Sequence, residues 1–463
     1  MHHISAGDFS GPVFWLGLES LALGIAALIL LFRPQDGRLI VATAVLQLIN
    51  IWMLAPFIAN HWVLGALVSL AIVVSAVGAG FYNTCSELTW ADRFFTFVIP
   101  STLLILIASY PFAAFAKWNS AFLNPDVSCA VDIFVRGYEL FGLDQLAQFL
   151  AVRWGLIVIG LASETIIAIL ILVPRTRAWG AFIGLFFHFV VAFDPIIPFF
   201  DFSSILFLFF VLCLPVDIIE HLVDQAESQF AARWKKIVAV GMMALILFVP
   251  LIDQEGARLL FALGRQGIWL FFSIAILVWV FKRMALDRRQ LSRSILIWPE
   301  KHDANGRFGR IQKAILVTLL CCTLSIGLSP WFEIQTGYGL VMYSNLLTAG
   351  GETNHLLIPK TFPIGQGYFD LIEVTASNSN TVQDFYIDSG WQVPAVSVRR
   401  TLAQYPNVDA EIIRDGMSST ISNEVDLFEP LPLFQQKLQN LRPVDLHQPT
   451  RCQLATHPLQ ITD

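Results

Sequence analysis

The chain has 463 residues, 56% of them hydrophobic and only 14% charged, with a mean hydropathy of +0.65 and a formal net charge of −6. A soluble domain is usually about 45–50% apolar and about 25% charged, so an ordinary soluble fold is excluded. The net charge says little here, because in a membrane protein the position of the charges outweighs their sum.

Taken in chain order, apolar runs fall at residues 12–32, 39–58, 62–82, 94–116, 152–173, 178–198, 202–220, 236–252, 265–281 and 314–330. Runs of about 20 residues match the hydrocarbon core of a bilayer. They predict a mainly α, polytopic transmembrane helical bundle of about ten helices. The first run has no basic leader and no small-residue cleavage site, so it reads as a retained helix. Seventeen Lys and Arg fall in the odd-numbered connections, against five in the even-numbered ones. This bias places the odd connections in the cytoplasm and the N-terminus and tail outside it, in a multi-pass plasma (inner) membrane. The dense basic stretch 282–313 is then a cytoplasmic loop, so nucleic acid is not an implied partner. Its segment "SILIWP" is either a packed loop or a helix lying on lipid.

From Pro330 onward the apolar runs shorten and Gly, Asn, Thr, Ser and Pro enter. Residues 1–330 therefore read as the transmembrane domain and 331–463 as a small α+β extracytoplasmic domain. "NHLLIP", "FDLIEVTAS" and "DAEIIRDGM" read as strands, the last with a turn at Asp415-Gly416. "VPAVSVRRTLAQY" reads as a helix with Pro394 in its first turn, and "LPLFQQKLQNL" as a last helix. Of six cysteines, only Cys129 and Cys452 fall outside on this topology, where a disulfide persists; they are the expected pair.

Ionisable groups inside a bilayer are costly and are paired or functional by default. Glu164, in "GLASETIIAIL", and His188, in "GLFFHFVVAF", lie about equally far from the turn at Arg175-Thr176. At about 1.5 Å per residue both sit near mid-membrane on neighbouring helices. Two readings stand: interhelical polar glue, worth under about 1–2 kcal/mol, or a functional pair. Spacing around His188 does not suit a metal, so no metal site is expected. Asp194 and Asp201 follow His188, beside Pro195 and Pro198. Lys117 closes the fourth run, with Asn119 and Asn124 just beyond. It is either a lysine snorkelling to headgroups or a desolvated amine able to accept a proton. Glu19 in the first run is a further intramembrane carboxylate with the same two readings.

Three stretches, "FAAFAKWNSAFLNPDVSCA", "ASETIIAILILVPRTRAWGAFIGLFFHFVVAFD" and "SPWFEIQTGYGLVMYSNLLTAGGETNHLLIP", resemble proteins of the HTTM family, whose membrane domain is shared with vitamin K-dependent γ-glutamyl carboxylase. The resemblance covers most of residues 10–360. It implies a reduced quinone like vitamin K hydroquinone, with O2 and CO2 as co-substrates. It also implies a lysine base, matched by Lys117, and a functional histidine in a Phe-His context, matched by Phe187-His188. Glu164 would orient His188, while Asn119, Asn124, Asp194 and Asp201 would shape the binding site. The implied partners are membrane lipid and a protein or peptide acceptor at the outer face. Trp118 stands where the family carries leucine, and the carboxylase's large lumenal region has no evident counterpart. The alternative is a non-catalytic or quinone-binding membrane scaffold whose outer domain binds a partner; a transporter is less favoured, because paired Gly/Pro-interrupted helices are not seen.

Overall fold

The computed structural model describes residues 14–55, 58, 60–81, 89–192, 199–215, 217–220, 254–286, 307–337, 339–341, 343–364, 367–368, 370, 371–379, 382–387, 390–398, 409–414, 416–421, 433–445 and 449–453. Helices occupy every predicted apolar run except 236–252, which lies outside the described residues along with "SILIWP". They are α1 (Phe14–Phe32), α2 (Gly37–Leu54), α3 (Asn60–Phe81), α4 (Trp90–Ala116), the short α5 (Cys129–Tyr138), α6 (Leu150–Leu172), α7 (Arg177–Val191), α8 (Phe199–Leu212), α9 (Gln254–Leu286) and α10 (Arg307–Leu328). Among the described residues, five are long and apolar enough to cross a membrane: α2, α3, α4, α6 and, from Gly309, α10. Of the ten expected spanning helices, five are thus supported among the described residues; α7 and α8 are apolar but shorter over their described length.

The chain forms two compact units. The first comprises Met1–Met53, Leu64–Pro111 and Ser163–Thr323. Several of its described helix ends are closed by side chains. Thr89 and Asp92 cap the start of α4 reciprocally: the Asp92 amide donates to Thr89 Oγ1 and the Thr89 amide to Asp92 Oδ2. Buried Arg93 donates from Nε to the carbonyl of Ala79, one of the last four of α3 (3.1 Å). Between α6 and α7, Arg177 Nε reaches the Ile171 carbonyl (3.0 Å) and Thr176 Oγ1 the Leu170 carbonyl (2.9 Å). Gly180 lets α7 lie directly on α6 there, since a Cβ would meet Leu170 at 2.8 Å.

Two prolines, Pro100 and Pro111, stand inside α4. Proline has no N–H, so Pro100 leaves the Thr96 carbonyl without its helical donor. Gln312 of α10 supplies one: its Nε2 donates to Thr96 O at 3.1 Å. A spanning helix tolerates proline when a neighbour satisfies the freed group.

The second unit comprises Leu54–Val63, Phe112–Ala162 and Leu324–Asp463. Here the C-terminal ends of α4 and α10 meet, and Gly327 lies so close to the Phe112 ring that no side chain fits between them. A two-strand hairpin follows, β1 (Thr348–Ala349) against β2 (Glu352–Thr353). Gly350 and Gly351 turn it with φ of 63° and 88°, which only glycine adopts freely. The tail carries an antiparallel sheet of β3 (Leu371–Ser377), β4 (Trp391–Pro394), β5 (Ala410–Arg414), β6 (Met417–Ile421) and β7 (Val444–Asp445), in the order β6-β5-β3-β4-β7, with helix α11 (Leu433–Leu438) between β6 and β7. Ile372 and Val374 point inward from β3 while Glu373 and Thr375 point out, the period of two expected of a half-buried strand. They pack with Val393, Ile412, Val382 and Tyr386. Arg414 pairs with Met417, and Gly416 between them takes φ 76°, as a turn here requires.

Two tail expectations are corrected. "NHLLIP" is not a strand: the His355 ring takes the amides of Leu357 and Ile358, which a ladder would need. Pro394 ends β4 rather than opening a helix; helical structure begins at 395 and is described to 398. Proline suits a strand end because the ladder loses no donor there.

The α4–α10 contact yields a direct expectation. Gln312→Leu leaves Thr96 O without a donor in the apolar interior, and the loss is about 1–2 kcal/mol. Denaturation of the purified protein in detergent measures it, with Gln312→Glu as the second variant.

Candidate functional site

The second unit gathers polar residues at the exit of α4. The chain leaves the helix at Ala116 and makes a turn, with the Lys117 amide on Ala114 O (3.2 Å) and the Asn119 amide on Lys117 O (2.9 Å). Residues 118–120 pair with 354–356: Leu356 N donates to Trp118 O (2.9 Å) and Ser120 N to Asn354 O (3.1 Å). This short antiparallel clasp holds Lys117, which is only 7% exposed. A lysine snorkelling to headgroups extends away from the protein surface; Lys117 is enclosed by the protein.

Asn119 is fully buried and its hydrogen-bonding capacity is used up. Its Nδ2 donates to Ala116 O (2.8 Å) and to Ser344 O, and its Oδ1 accepts from Phe122 N (2.8 Å) and Asn354 Nδ2 (3.4 Å). An asparagine side chain offers two donors and one carbonyl oxygen with two lone pairs, so the described bonds of Asn119 engage each of these groups within the protein. Asn124 caps its own loop, Oδ1 accepting from Asp126 N (3.0 Å).

His355 completes the clasp. Its Nδ1 accepts from Leu357 N (3.1 Å) and Ile358 N (3.2 Å), so the ring proton resides on Nε2, which donates to Phe115 O (2.9 Å). Phe115 and Trp331 pack on the ring at 4.3 and 6.1 Å. Burial, the larger influence, lowers the His355 pKa from its ordinary value, while the bond to Phe115 opposes it. Beside it, Glu333 takes a positive φ of 54° and accepts from Gly351 N (2.8 Å) and the Thr361 hydroxyl. Tyr343 and Asn345 also have positive φ, 47° and 53°. For Glu and Tyr this conformation is costly and tends to persist where surroundings over-determine it, whereas Asn adopts it more readily.

The structure bonds Cys129 to Cys452, with Cα atoms 4.9 Å apart. Asn345 braces both sides of the bridge: Oδ1 accepts from Cys129 N (2.7 Å), and Nδ2 donates to Val127 O (2.8 Å) and Thr450 O (3.2 Å). Buried Asp445 holds Arg451 from its Nε (2.7 Å) and Nη2 (3.1 Å), setting the approach of Cys452. Next to the bridge is a cavity of about 460 Å³ lined by Arg136, Arg153, Arg451, Asp126, Asp132 and Trp391 among others. Arg153 pairs with Asp126 at 2.9 Å and Arg136 with Asp132 at 3.1 Å. Such exposed pairs are worth about 0–1 kcal/mol.

The first unit holds His188. Residues Arg177, Ala181, Gly184 and His188 form one buried stripe of α7 at helical spacing. Phe210 of α8 presses against Gly184 and stacks on the His188 ring at 5.8 Å. Phe187 and Phe202 meet the ring edge-on at 5.2 and 5.7 Å. Tyr110 of α4, also buried, brings its hydroxyl to His188 Nε2 at 3.4 Å. Glu164, half-buried on α6, lies within electrostatic range of Tyr110. Asp201 falls in the first turn of α8, and Asp194 lies outside the described residues.

Sequence reasoning missed Tyr110 and His355. Tyr110 stands in "ASYPF", a polar interruption before Pro111 in a spanning run. His355 follows Asn354 at the edge of an apolar loop, where a ring often substitutes for missing ladder partners. Comparisons with protein families, curated proteins and solved structures find no match to this chain.

Two outcomes follow. Asn119→Ala strands the Ser344 carbonyl and the Phe122 amide, each buried, and costs about 2–4 kcal/mol in thermal or chemical unfolding. Because the folded His355 binds its proton less readily than the unfolded chain, its contribution to stability is complete above about pH 6.5. It falls as pH drops below that value toward the folded pKa. In His355→Gln, whose amide mimics the neutral ring, the decline between about pH 6.5 and 5 becomes shallower.

Proposed function

We propose that this chain is an integral membrane enzyme resembling vitamin K-dependent γ-carboxylase. It uses a reduced quinone with O2 to drive carboxylation of an acceptor by CO2. In this reading the chain crosses a plasma (inner) membrane about ten times, with its N-terminus and tail outside. The observation that carries the reading is the enclosure of Lys117, only 7% exposed, at the end of a helix long and apolar enough to span.

The donor set around His188 fits a quinol: a phenol and an imidazole within hydrogen-bonding distance, framed by aromatic rings that accept a flat ring edge-on. A bound reduced quinone with O2 supplies a base strong enough to remove a carbon-bound proton. In this reading Lys117 would serve as the base, and the Tyr110–His188 pair would hold a proton at the ring nitrogen. Glu164 acts on that pair electrostatically. The arginines beside the disulfide suit an acceptor bearing carboxylates.

The second reading, a non-catalytic scaffold, is favoured by the complete use of Asn119 and of both His355 nitrogens within the fold. Quinol-dependent oxygen uptake by purified protein in lipid separates the two. The enzyme reading expects it in the wild type and expects Lys117→Ala and His188→Ala to reduce it at least 100-fold, the usual range for a positioned acid or base. Uptake absent in the wild type, or unchanged in both variants, leaves the scaffold.

A further inference from the structure

The loop from His355 to Ile364 is apolar and faces outward. Leu356 is 51% exposed, Leu357 68%, Phe362 66% and Ile364 62%, with exposed Lys360 between them. A soluble surface rarely presents that much contiguous apolar area without a partner.

Two tethers fix where this loop sits, both in the second unit. Its first leg is bonded to the exit of α4, through Leu356 N on Trp118 O (2.9 Å) and His355 Nε2 on Phe115 O (2.9 Å). Its second leg is bonded just past the end of α10, through Phe362 N on Trp331 O (2.8 Å) and Ile364 N on Phe332 O (3.0 Å). Ile358 packs inward on Ala116, Trp331 and Leu346, so the loop cannot slide along the helices. α4 and α10 are both long and apolar enough to span, and the end of a spanning helix lies near the edge of the hydrocarbon layer. The apolar side chains of the loop are therefore held at that edge. Half-exposed Trp118, 37% exposed, is the residue type enriched at this depth. Lys360 is placed to meet lipid phosphates while its neighbours enter the acyl boundary.

We infer that residues 356–364 form a foot embedded in the interfacial layer of the lipid bilayer, with Leu356, Leu357, Phe362 and Ile364 among the acyl chains. The partner is lipid, argued from the two helix ends that set the depth and from the single lysine within the apolar set. This inference does not depend on the enzymatic reading.

The test uses the full chain reconstituted in phospholipid vesicles. Cys85, Cys321 and Cys322 are replaced by serine, and an environment-sensitive dye is attached at Leu357→Cys or, as a second site, Phe362→Cys. Ser419→Cys on β6 is the exposed reference. The foot predicts blue-shifted emission, strong quenching by lipid with a nitroxide near the headgroup, weaker quenching by a mid-chain nitroxide, and less than half the iodide quenching seen at Ser419→Cys. Iodide quenching equal to that of the reference overturns the inference. So does protection from both iodide and nitroxide lipids, which would mean that protein covers the loop. Because the two dye sites lie on opposite legs, failure of one variant to fold still leaves the measurement at the other.

Discussion

A backbone carbonyl freed inside a bilayer finds no water, so a donor must come from elsewhere in the protein. Much of the described architecture follows from that constraint. Pro100 opens a gap in α4 and Gln312 fills it. The last carbonyls of α3 and α6 are met by Arg93 and Arg177, each from the start of the next helix. At the exit of α4 the donors are Asn119 to Ala116 O and His355 to Phe115 O. The Lys117 turn is held between those two bonds, and its position is inherited from the demands of the helix end.

The same need explains why the polypeptide after α10 is so tightly specified. Glu333, Tyr343 and Asn345 accept left-handed backbone, which favours asparagine but resists the other two. The compensations are visible: Glu333 receives Gly351 N and the Thr361 hydroxyl, and Tyr343 packs into the cluster around Phe122, Cys129 and Ile157. Asn345 then bridges the backbone on either side of the disulfide. The bridge spans 323 residues of sequence, so it restricts the unfolded chain over a long loop. Asn345 aligns the two strands in the folded state. Covalent and hydrogen-bonded ties thus converge on one loop, and the loop is shared by the Lys117 turn, the hairpin and the tail.

Much of this fold was legible in residue patterns. Continuous apolar runs located the helices, because lipid-facing and buried faces both demand apolar side chains. Period-two alternation located β3, and Asp-Gly located the β5–β6 turn. Two features resisted. "NHLLIP" has the composition of a strand, and only the third dimension reveals that the His355 ring captures its amides. The number of spans was not settled by run length either: five helices among the described residues are long and apolar enough, and 236–252 lies outside them. At the candidate site, counting residues could set His188 and Glu164 at one depth but could not say which face each presented. The phenol that reaches His188 comes from α4, seventy-eight residues away in sequence, and no local pattern encodes such a meeting.

That meeting is itself built from apolar contacts. Tyr110 and His188 are polar, yet the groups that position them are Phe210, Phe202 and Phe187. Phe210 can stack on the imidazole only because residue 184, one helical turn before it, is glycine and leaves the ring a seat. A methyl at 184 would displace Phe210, and the displaced ring would withdraw its support from His188 and Tyr110 together. The pair's geometry is thus set by close packing, which holds side chains more rigidly than an exposed hydrogen bond does. The placement of this pair therefore depends on an aromatic core as much as on the two polar groups themselves.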